Sequence, residues 1–447
     1  MAKPRAMMIA FGWEDYPKEI LFSKINESYD CILDLDIELI KAGPVLKNND
    51  ISEARSMLKK EEYDFIIILI ASWLDDINVP AVLEGYYNVP ILLWGHQPFK
   101  HNDETITLGA MVGASILRET FEEMDINHKF IFGMPQEIEI KNQIKSFALA
   151  SYAKKKLSFS RMGLFGYAAM GIYTATFDHV SLRKKVGPEI IHFDQYSLIE
   201  EIKKVPGENY SVFKKQIIEK FNLKIKNYEE DADIISRMYF SLLKFVDDYS
   251  LDALTIKCHY ELSKIFGTTP CMPLSILGDK VVCSCEGDIL LLVTQYLLHL
   301  ISGLPAGFGD IQEVRKDRIS ITTCGFAPFS MCNTDKLSIS SYAFAGWKGL
   351  LNSTPYLENQ KVTLARIASK GDNYKLHYLT GTTKVMGPFR EAGCPDFPRA
   401  EILPDSDGIE FGNKICSNHY AIVFENMTSV LDDFCLISGI KNISGNI

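Results

Sequence analysis

Three acidic residues stand near the two ends of an apolar segment, VVCSCEGDILLLVTQYLLHLISGLPAGFGDIQ, which covers residues 281–312. Glu286 and Asp288 lie near its start, and Asp310 lies near its end. Two carboxylates that come close together repel each other, unless one is protonated or a cation lies between them. Oxygen ligands favour a hard divalent ion such as Mn²⁺ or Mg²⁺, and an added imidazole shifts the preference toward Mn²⁺ or Co²⁺. Glu286 and Asp310 are therefore candidate metal ligands.

The elements around these acids suggest how they could meet. A strand over 280–285 ends at Glu286, and a helix is predicted over 287–302. A Gly-Leu-Pro stop signal follows the helix, and a second strand must then return. The pattern predicts a strand–helix–strand unit with parallel strands. Both acids would then lie at the carboxyl ends of strands, the edge where open α/β sheets bind their ligands.

Two simpler interpretations of these acids remain open. Glu286 could cap the following helix and complement its dipole, which is also the expected role of Asp288. Asp310 could be a turn residue at the end of a strand. The glycines on both sides of Phe308 fit a strand that another group approaches closely.

Composition restricts the class of protein. The chain has 447 residues, of which 47% are hydrophobic and 23% charged, as expected of a globular protein with about three domains. The formal net charge of -10 argues against a nucleic-acid partner, which needs clustered Lys and Arg. The start of the chain has no signal-peptide pattern, and no window approaches ~20 uncharged apolar residues. We therefore expect a cytoplasmic protein without a membrane partner.

The ten cysteines are expected to be reduced thiols in a protein of this kind. Cys283 and Cys285 lie two positions apart on the same side of a strand. A zinc site there would need further ligands at suitable spacing. The alternative is that both are small buried hydrophobic residues.

The order of elements predicts an α/β protein with two doubly wound parallel-sheet domains and a C-terminal antiparallel β-barrel-like domain. Short apolar strands alternate with helical segments through 1–157, and the pattern restarts over 158–312. From 313–447 the strands show alternating polarity and are separated by turn residues, which is typical of an antiparallel sandwich or barrel.

The run TIKCHYELSKIFGTTPCMPLSILGDKVVCSCEGDILLLVTQYLLHLISGLPAGFGDI resembles the second domain of L-fucose isomerase and its shorter relatives. In that family a Glu in a C-E-(A/G)-D context and an Asp shortly after an L-S-G-x-P turn are metal ligands, and they match Glu286 and Asp310. The third ligand is a His in an N-H or H-H dipeptide near the C-terminus, which CSNHYAIVFEN supplies as His419. The segments NQKVTLARI and LGAMVGASILRETFEE extend the resemblance to about residues 60–440.

This resemblance implies a metal-dependent aldose–ketose isomerase that acts on a free or modified sugar through a cis-enediol. Glu286 and Asp310 would be acid/base groups and metal ligands, and His419 would complete the metal shell. The implied cofactor is Mn²⁺, with Mg²⁺ or Co²⁺ as alternatives, and the implied assembly is a homo-oligomer, a trimer or hexamer. The alternatives are a non-catalytic sugar-binding or regulatory protein with the same fold, and an epimerase. The presence of all three ligands favours catalysis.

Four further residues are candidate contacts of the sugar. Lys257 and His259 follow a predicted strand at the same sheet edge as Glu286, where they could bind hydroxyls or a negatively charged substituent. In the resembling family a first-domain aromatic residue from a neighbouring subunit closes the sugar site, and Trp94 is a candidate for that role; the alternative is a buried structural tryptophan. Asn418 belongs to the same dipeptide as the histidine ligand.

Overall fold

A computed structural model describes residues 3–168, 171–223, 228–342 and 347–445. The chain divides into two compact units, one formed by Met1–Lys155 and Ser429–Ile440 and the other by Lys156–Thr428 and Lys441–Ile447. The division into three domains expected from the sequence stays a prediction.

The strands in the described residues are, in chain order, β1 (Arg5–Phe11), β2 (Glu38–Val45), β3 (Phe65–Ile70), β4 (Ile91–Gly95), β5 (Phe99–His101), β6 (Glu104–Ile106), β7 (His128–Phe132), β8 (Arg161–Phe165), β9 (Glu189–Phe193), β10 (Ala253–Ile256), β11 (Val282–Cys285), β12 (Gly307–Val314), β13 (Ile319–Thr322), β14 (Ile339–Ser341), β15 (Leu350–Asn352), β16 (Lys361–Lys370), β17 (Asn373–Lys384), β18 (Arg399–Pro404), β19 (His419–Val423) and β20 (Lys441–Asn442).

The helices are α1 (Lys18–Leu33), α2 (Ile51–Lys60), α3 (Asn78–Leu83), α4 (Ala110–Glu123), α5 (Ile138–Phe159), α6 (His179–Lys185), α7 (Gln195–Lys204), α8 (Gly207–Lys220), α9 (Tyr228–Tyr249), α10 (Cys271–Leu277), α11 (Ile289–Ser302), α12 (Gly408–Asn413) and α13 (Thr428–Ser438). Over the described residues, no helix combines the length and the apolar character that crossing a membrane requires.

The first unit contains a five-stranded parallel sheet with the order β2-β1-β3-β4-β7. Strand β3, with the sequence FIIILI, is buried at every position, as expected of a central strand covered on both faces. Its alternate residues pack into two different hydrophobic clusters, with Ile67 in one and Ile68 in the other. Because successive side chains of a strand point to opposite faces, these clusters are the two cores of a doubly wound sheet.

The second unit contains a four-stranded parallel sheet with the order β11-β10-β8-β9. Ile256 of β10 pairs with Cys285 of β11, and each is the last residue of its strand. Lys257 and Glu286, which follow these two residues, therefore emerge at the same carboxyl edge of the sheet.

The C-terminal strands of the second unit form a closed six-stranded antiparallel barrel. Its order is β16-β19-β12-β13-β18-β17, and the pairing of β17 with β16 closes the ring. The predicted fold class, two parallel sheets with helices followed by an antiparallel barrel, is confirmed.

One local expectation was wrong, because β12 does not return to the parallel sheet. It lies in the barrel between β13 and β19 and is antiparallel to both. A short turn joins β12 to β13 and is closed by the hydrogen bond from Arg315 N to Arg318 O. Two strands joined by so short a turn pair in antiparallel orientation. Asp310 is therefore a residue within a barrel strand and not the end of a parallel strand.

The apolar helix predicted over 287–302 is confirmed as α11. It begins after Asp288, whose carboxylate accepts a hydrogen bond from Leu291 N at 3.0 Å, and it ends at Gly303 with a φ of 71°. The cap satisfies a free backbone N–H, and glycine adopts the left-handed end conformation without strain. The helix packs against β16 and β19, which places its first turn beside the barrel.

Gly309 provides a test of how closely the barrel strands pack. A Cβ at this position would lie 2.8 Å from the Cβ of Ile321 in β13, closer than carbon atoms approach. Gly309→Ala should therefore lower the free energy of unfolding by about 1–3 kcal/mol, measured by urea denaturation of the full chain. Gly387→Ala is the control, because nothing lies within 4 Å of that Cβ. Equal stability of the two variants would contradict the packing described for β12 and β13.

Candidate active site

Two barrel strands and the turn after β11 bring Glu286, Asp310 and His419 together. Asp310 of β12 is directly paired with His419 of β19, and Glu286 follows β11. One carboxylate oxygen from each acid and one ring nitrogen of His419 lie within 4.8 Å of one another. The group could hold a metal ion, and the assignment of a metal to it stays a prediction.

His419 is oriented by a hydrogen bond at Nδ1, and its Nε2 faces two carboxylates. Its Nδ1 lies 2.9 Å from Asp288 Oδ2, whereas its Nε2 lies 3.3 Å from Glu286 Oε2 and 3.4 Å from Asp310 Oδ1. The side chain is fully buried, and Nε2 has no well-aligned hydrogen-bond partner among the described residues. Donation from Nδ1–H to a carboxylate leaves the Nε2 lone pair free, which is the arrangement typical of metal-binding histidines. The two carboxylate oxygens and the Nε2 lone pair would repel one another unless a cation or a proton lies between the nitrogen and the oxygens.

The backbone at Glu286 is held in a conformation that glycine usually adopts. Its φ is 69°, and the following Gly287 has a φ of 68°. A left-handed conformation at a residue with a side chain costs on the order of 1–3 kcal/mol and persists only when its surroundings hold it. This turn aims the Glu286 carboxylate toward the barrel strands, while the next residue, Asp288, caps α11.

The charges in this group shift its pKa values in different directions. Burial raises the pKa of Glu286, but His419, His259 and Cys324 together outweigh burial, with His419 contributing most, and leave that pKa below its ordinary value. Burial and the negative charge of Glu286 raise the pKa of Asp310 to about 6, against the opposing effect of His419. Burial lowers the pKa of His419, but its carboxylate neighbours, Glu286 first, raise it well above its ordinary value. Without a metal, the imidazole is thus protonated at neutral pH.

A buried ion pair lies behind His419. Arg366 of β16 donates from Nη1 to Asp288 Oδ2 at 2.7 Å and from Nη2 to Asp288 Oδ1 at 3.0 Å. Neither side chain has exposed surface. Burial raises the pKa of Asp288, but Arg366 and His419 outweigh burial and keep the carboxyl ionised. The expected helix cap at Asp288 is present, and the same carboxylate also supports the histidine.

Sequence reasoning missed two residues of this group, Arg366 and Cys324. Arg366 is the arginine of the segment NQKVTLARI, which carried part of the resemblance without a role assigned to it. Cys324 follows β13, and its thiol donates to Glu286 Oε1 at 3.5 Å. No local pattern in the sequence points to this cysteine.

The predicted sugar contacts of the second unit lie around the same group. Asn418 donates from Nδ2 to Asp310 Oδ1 at 2.8 Å and is exposed. His259 contributes a ring nitrogen within 4.8 Å of ligand atoms of Glu286 and Cys324. The ammonium group of Lys257 lies 2.9 Å from the carboxylate of Glu261. Their roles in binding a sugar stay predictions.

Trp94 lies in the first unit, within the hydrophobic core of the sheet. Its side chain is fully buried, and its indole N–H donates to Gly133 O at 2.9 Å. A fully buried indole presents no surface to a ligand, so this placement fits the structural alternative. We do not include Trp94 in the proposed site.

Removal of Arg366 should destabilise the protein strongly. In Arg366→Ala, the Asp288 carboxylate keeps its burial but loses its ion-pair partner, which costs about 3–5 kcal/mol of unfolding free energy. Arg118→Ala is the control, because the Arg118 side chain is 43% exposed and its pairs with Glu119 and Glu122 are at the surface. In urea denaturation, the unfolding free energy of the control should fall by less than about 1 kcal/mol. Similar losses in both variants would disprove the importance assigned to the buried pair.

Binding of Mn²⁺ should release protons. At pH 7 His419 must lose the Nε2 proton, so about one proton should leave per ion bound, and a second should leave from Asp310 below about pH 6. Protons compete with the metal, so affinity should rise about tenfold per pH unit above pH 6 and more steeply below it. Calorimetry in two buffers of different ionisation enthalpy measures the number of protons released per Mn²⁺ bound. His419→Gln should remove the release at pH 7, whereas His101→Gln, at an exposed site, should keep it.

Comparisons with known proteins place this geometry in context. No family model matches the chain. A sulfoquinovose isomerase of Priestia aryabhattai is 21% identical over 343 residues, which cover 74% of this chain and 75% of that protein. A sulfoquinovose isomerase of Alkalicoccus urumqiensis is 20% identical over 381 residues, or 82% of each chain. A third, from Clostridium sp. (strain MSTE9), is 22% identical over 253 residues, which cover 56% of this chain and 57% of that protein.

The names of these relatives agree with the expectation of a sugar isomerase. They are consistent with the resemblance to L-fucose isomerase. The prediction of an enzyme of the intramolecular oxidoreductase class is confirmed by this similarity. The similarity extends over 74% of this chain for the Priestia aryabhattai protein and 82% for the Alkalicoccus urumqiensis protein.

Proposed function

We propose that this chain is a metal-dependent aldose–ketose isomerase that converts sulfoquinovose, a hexose with a sulfonate on C6, into its 2-ketose. The observation that carries the proposal is the convergence of Glu286 and Asp310 on His419 Nε2. The substrate is taken from the names of the relatives that match this chain. A hexose with a charged substituent also fits the expectation of a modified sugar.

The reaction transfers hydrogen from C2 to C1 through a cis-enediol. It needs one group that accepts the proton from C2 and returns it at C1, and another that carries protons at the sugar oxygens. Glu286, whose pKa is lowered, is ionised at neutral pH and suits the first role. Asp310, whose pKa is raised to about 6, holds a proton more readily and suits the second. Two carboxyl groups whose surroundings separate their pKa values can divide the acid and base roles in this way.

Glu286, Asp310 and His419 are the residues that would hold the divalent cation, proposed to be Mn²⁺. When bound, such an ion supplies positive charge that stabilises a developing enediolate. The donor set fits, because His419 Nε2 is buried, faces both carboxylates and has no well-aligned hydrogen-bond partner among the described residues. Asp288 fixes the imidazole from behind through Nδ1.

Binding of a sulfonate requires positive charge or hydrogen-bond donors near C6. Lys257 and His259 follow β10 at the same sheet edge as Glu286. Lys257 lines a cavity of about 270 Å³ together with Asp194 and Glu261. Since Glu261 already pairs with Lys257, a sulfonate would replace this carboxylate as its partner. Asn418 is proposed to donate its second amide hydrogen to a sugar hydroxyl.

The resemblance to L-fucose isomerase also supports the assembly that we propose. The protein would be a cytoplasmic homo-oligomer, a trimer or hexamer, with the sugar sites near subunit boundaries.

Glu286→Gln should abolish turnover while the fold survives. Glutamine keeps the size of the side chain but cannot carry the proton, and loss of an acid–base group typically lowers the rate by ~10²–10⁴. Conversion of sulfoquinovose, and C2 hydrogen exchange in deuterated water, can be followed by proton NMR with Mn²⁺ present. Asp310→Asn should behave alike, and the double variant should be scarcely worse than either single one, since both residues serve one site.

Glu313→Gln provides the control for this series, because it removes a carboxylate from the same strand as Asp310 but outside the site. It should keep wild-type turnover. Near-wild-type exchange in Glu286→Gln would refute the role of Glu286. Binding of the sugar without any exchange by the wild type would favour the non-catalytic alternative.

A further inference from the structure

A second group of donor atoms borders the first and shares Glu286 with it. Ligand atoms of His259, Glu286 and Cys324 lie within 4.8 Å of one another. The two oxygens of Glu286 face different partners, since Oε2 lies 3.3 Å from His419 Nε2 and Oε1 lies 3.5 Å from Cys324 Sγ. One carboxylate thus stands between an oxygen-rich group and a group that contains sulfur.

Further thiols surround this second group. Cys258 and Cys285 lie close enough to this group for His259 to shift the pKa of the Cys258 thiol and for Cys324 to shift the pKa of the Cys285 thiol. These residues follow or end β10, β11 and β13, so they come together only in the folded chain. Cys258 and Cys285 are buried, whereas Cys324 is partly exposed and so reachable from solvent.

The donor chemistry differs from that of the first group. Glu286, Asp310 and His419 offer two carboxylates and one imidazole, whereas the second group offers a thiol, an imidazole and one shared carboxylate oxygen. Thiolate ligands select zinc and similar cations, while carboxylates suit manganese and magnesium. The two groups should therefore prefer different ions.

We propose that His259, Cys324 and Glu286 Oε1 form a second cation position, which takes a thiophilic divalent ion such as Zn²⁺ or Co²⁺. On binding, the Cys324 thiol gives its proton to solvent and its sulfur becomes the ligand, so that no oxidant or reductant is needed. An ion there would occupy an oxygen of Glu286 and the ring of His259. One consequence rests on the proposed function: Zn²⁺ bound at the second position should inhibit the isomerase even when Mn²⁺ fills the first position.

Cobalt binding tests the position without any measurement of turnover. The full chain is stripped of metal, saturated with Mn²⁺ and titrated with Co²⁺, and the near-ultraviolet absorption from sulfur-to-cobalt charge transfer is recorded. Wild type should develop this band, and Cys324→Ser should lose it, together with at least the ~10–100-fold in Co²⁺ affinity that loss of a residue supporting a metal ligand costs. Cys283→Ser, a buried cysteine of β11 outside the group, should keep the band. Absence of the band in wild type, or its persistence in Cys324→Ser, would overturn the inference.

Thiol labelling gives a second readout on the wild-type protein, which needs no variant to fold. Cys324 and Cys416 are the two partly exposed cysteines among the described residues. With Mn²⁺ present, added Zn²⁺ should slow alkylation of Cys324 at least tenfold and leave Cys416 unchanged, as measured by mass spectrometry. Equal labelling rates of Cys324 with and without Zn²⁺ would overturn the inference.

Asp310→Asn separates this inference from the proposed function. The substitution damages the first group only, so the cobalt band should persist in this variant. If the wild type shows the band and the protection of Cys324 but never isomerises a sugar, the proposed function fails and the second cation position stands. If it isomerises sulfoquinovose and shows neither signal, the second position fails alone.

Discussion

The arrangement of the candidate site depends on one carboxylate, that of Asp288. It has no exposed surface, and it accepts hydrogen bonds from Arg366, from His419 Nδ1 and from the backbone N–H of Leu291. A buried ion is costly unless its partners are close and well aligned, with a penalty of several kcal/mol for each ion. The turn after β11, strand β16 and strand β19 must therefore meet at this point. Any arrangement that separated them would leave a charge buried without a partner.

The buried Asp288 carboxylate also determines the orientation of His419 in the candidate site. Because Nδ1 is fixed on Asp288, the opposite nitrogen must point at Glu286 and Asp310. Strained backbone at Glu286, with a φ of 69°, completes the geometry by turning its carboxylate toward the same nitrogen. The helix cap at Asp288 and the packing of α11 on the barrel hold this turn in place, so its conformational cost is offset by contacts outside the site.

The parallel sheet and the barrel of the second unit contribute different kinds of donor to the site. The sheet edge supplies Glu286 and His259, and the barrel supplies Asp310, His419 and the thiol of Cys324. Glu286 stands where the two sets meet, with one oxygen toward the imidazole of His419 and the other toward the thiol. This position explains how one residue can belong to both donor groups.

Local features of the protein could be read from the sequence alone. The buried strand FIIILI, the apolar helix α11 with Asp288 before it and Gly303 after it, and the change to alternating strands in the last third all appear as expected. These features depend on side-chain periodicity and on hydrogen bonds that span only a few residues, so a short window of sequence contains them. The family resemblance, together with this local frame, predicts Glu286, Asp310 and His419 as site residues. In the structure one ligand atom from each of the three lies within 4.8 Å of the others.

Tertiary structure alone decided which distant residues meet. The sequence predicted a parallel partner for β12, but its pairing with β13 and β19 took Asp310 into the barrel. Arg366 lies 78 positions from Asp288, and His419 lies 131 positions from it. No periodicity links residues so far apart, since their contact depends on strand order and register over the whole barrel. The same reason applies to Cys324, whose contact with Glu286 arises only because the end of β13 comes to lie beside the turn after β11.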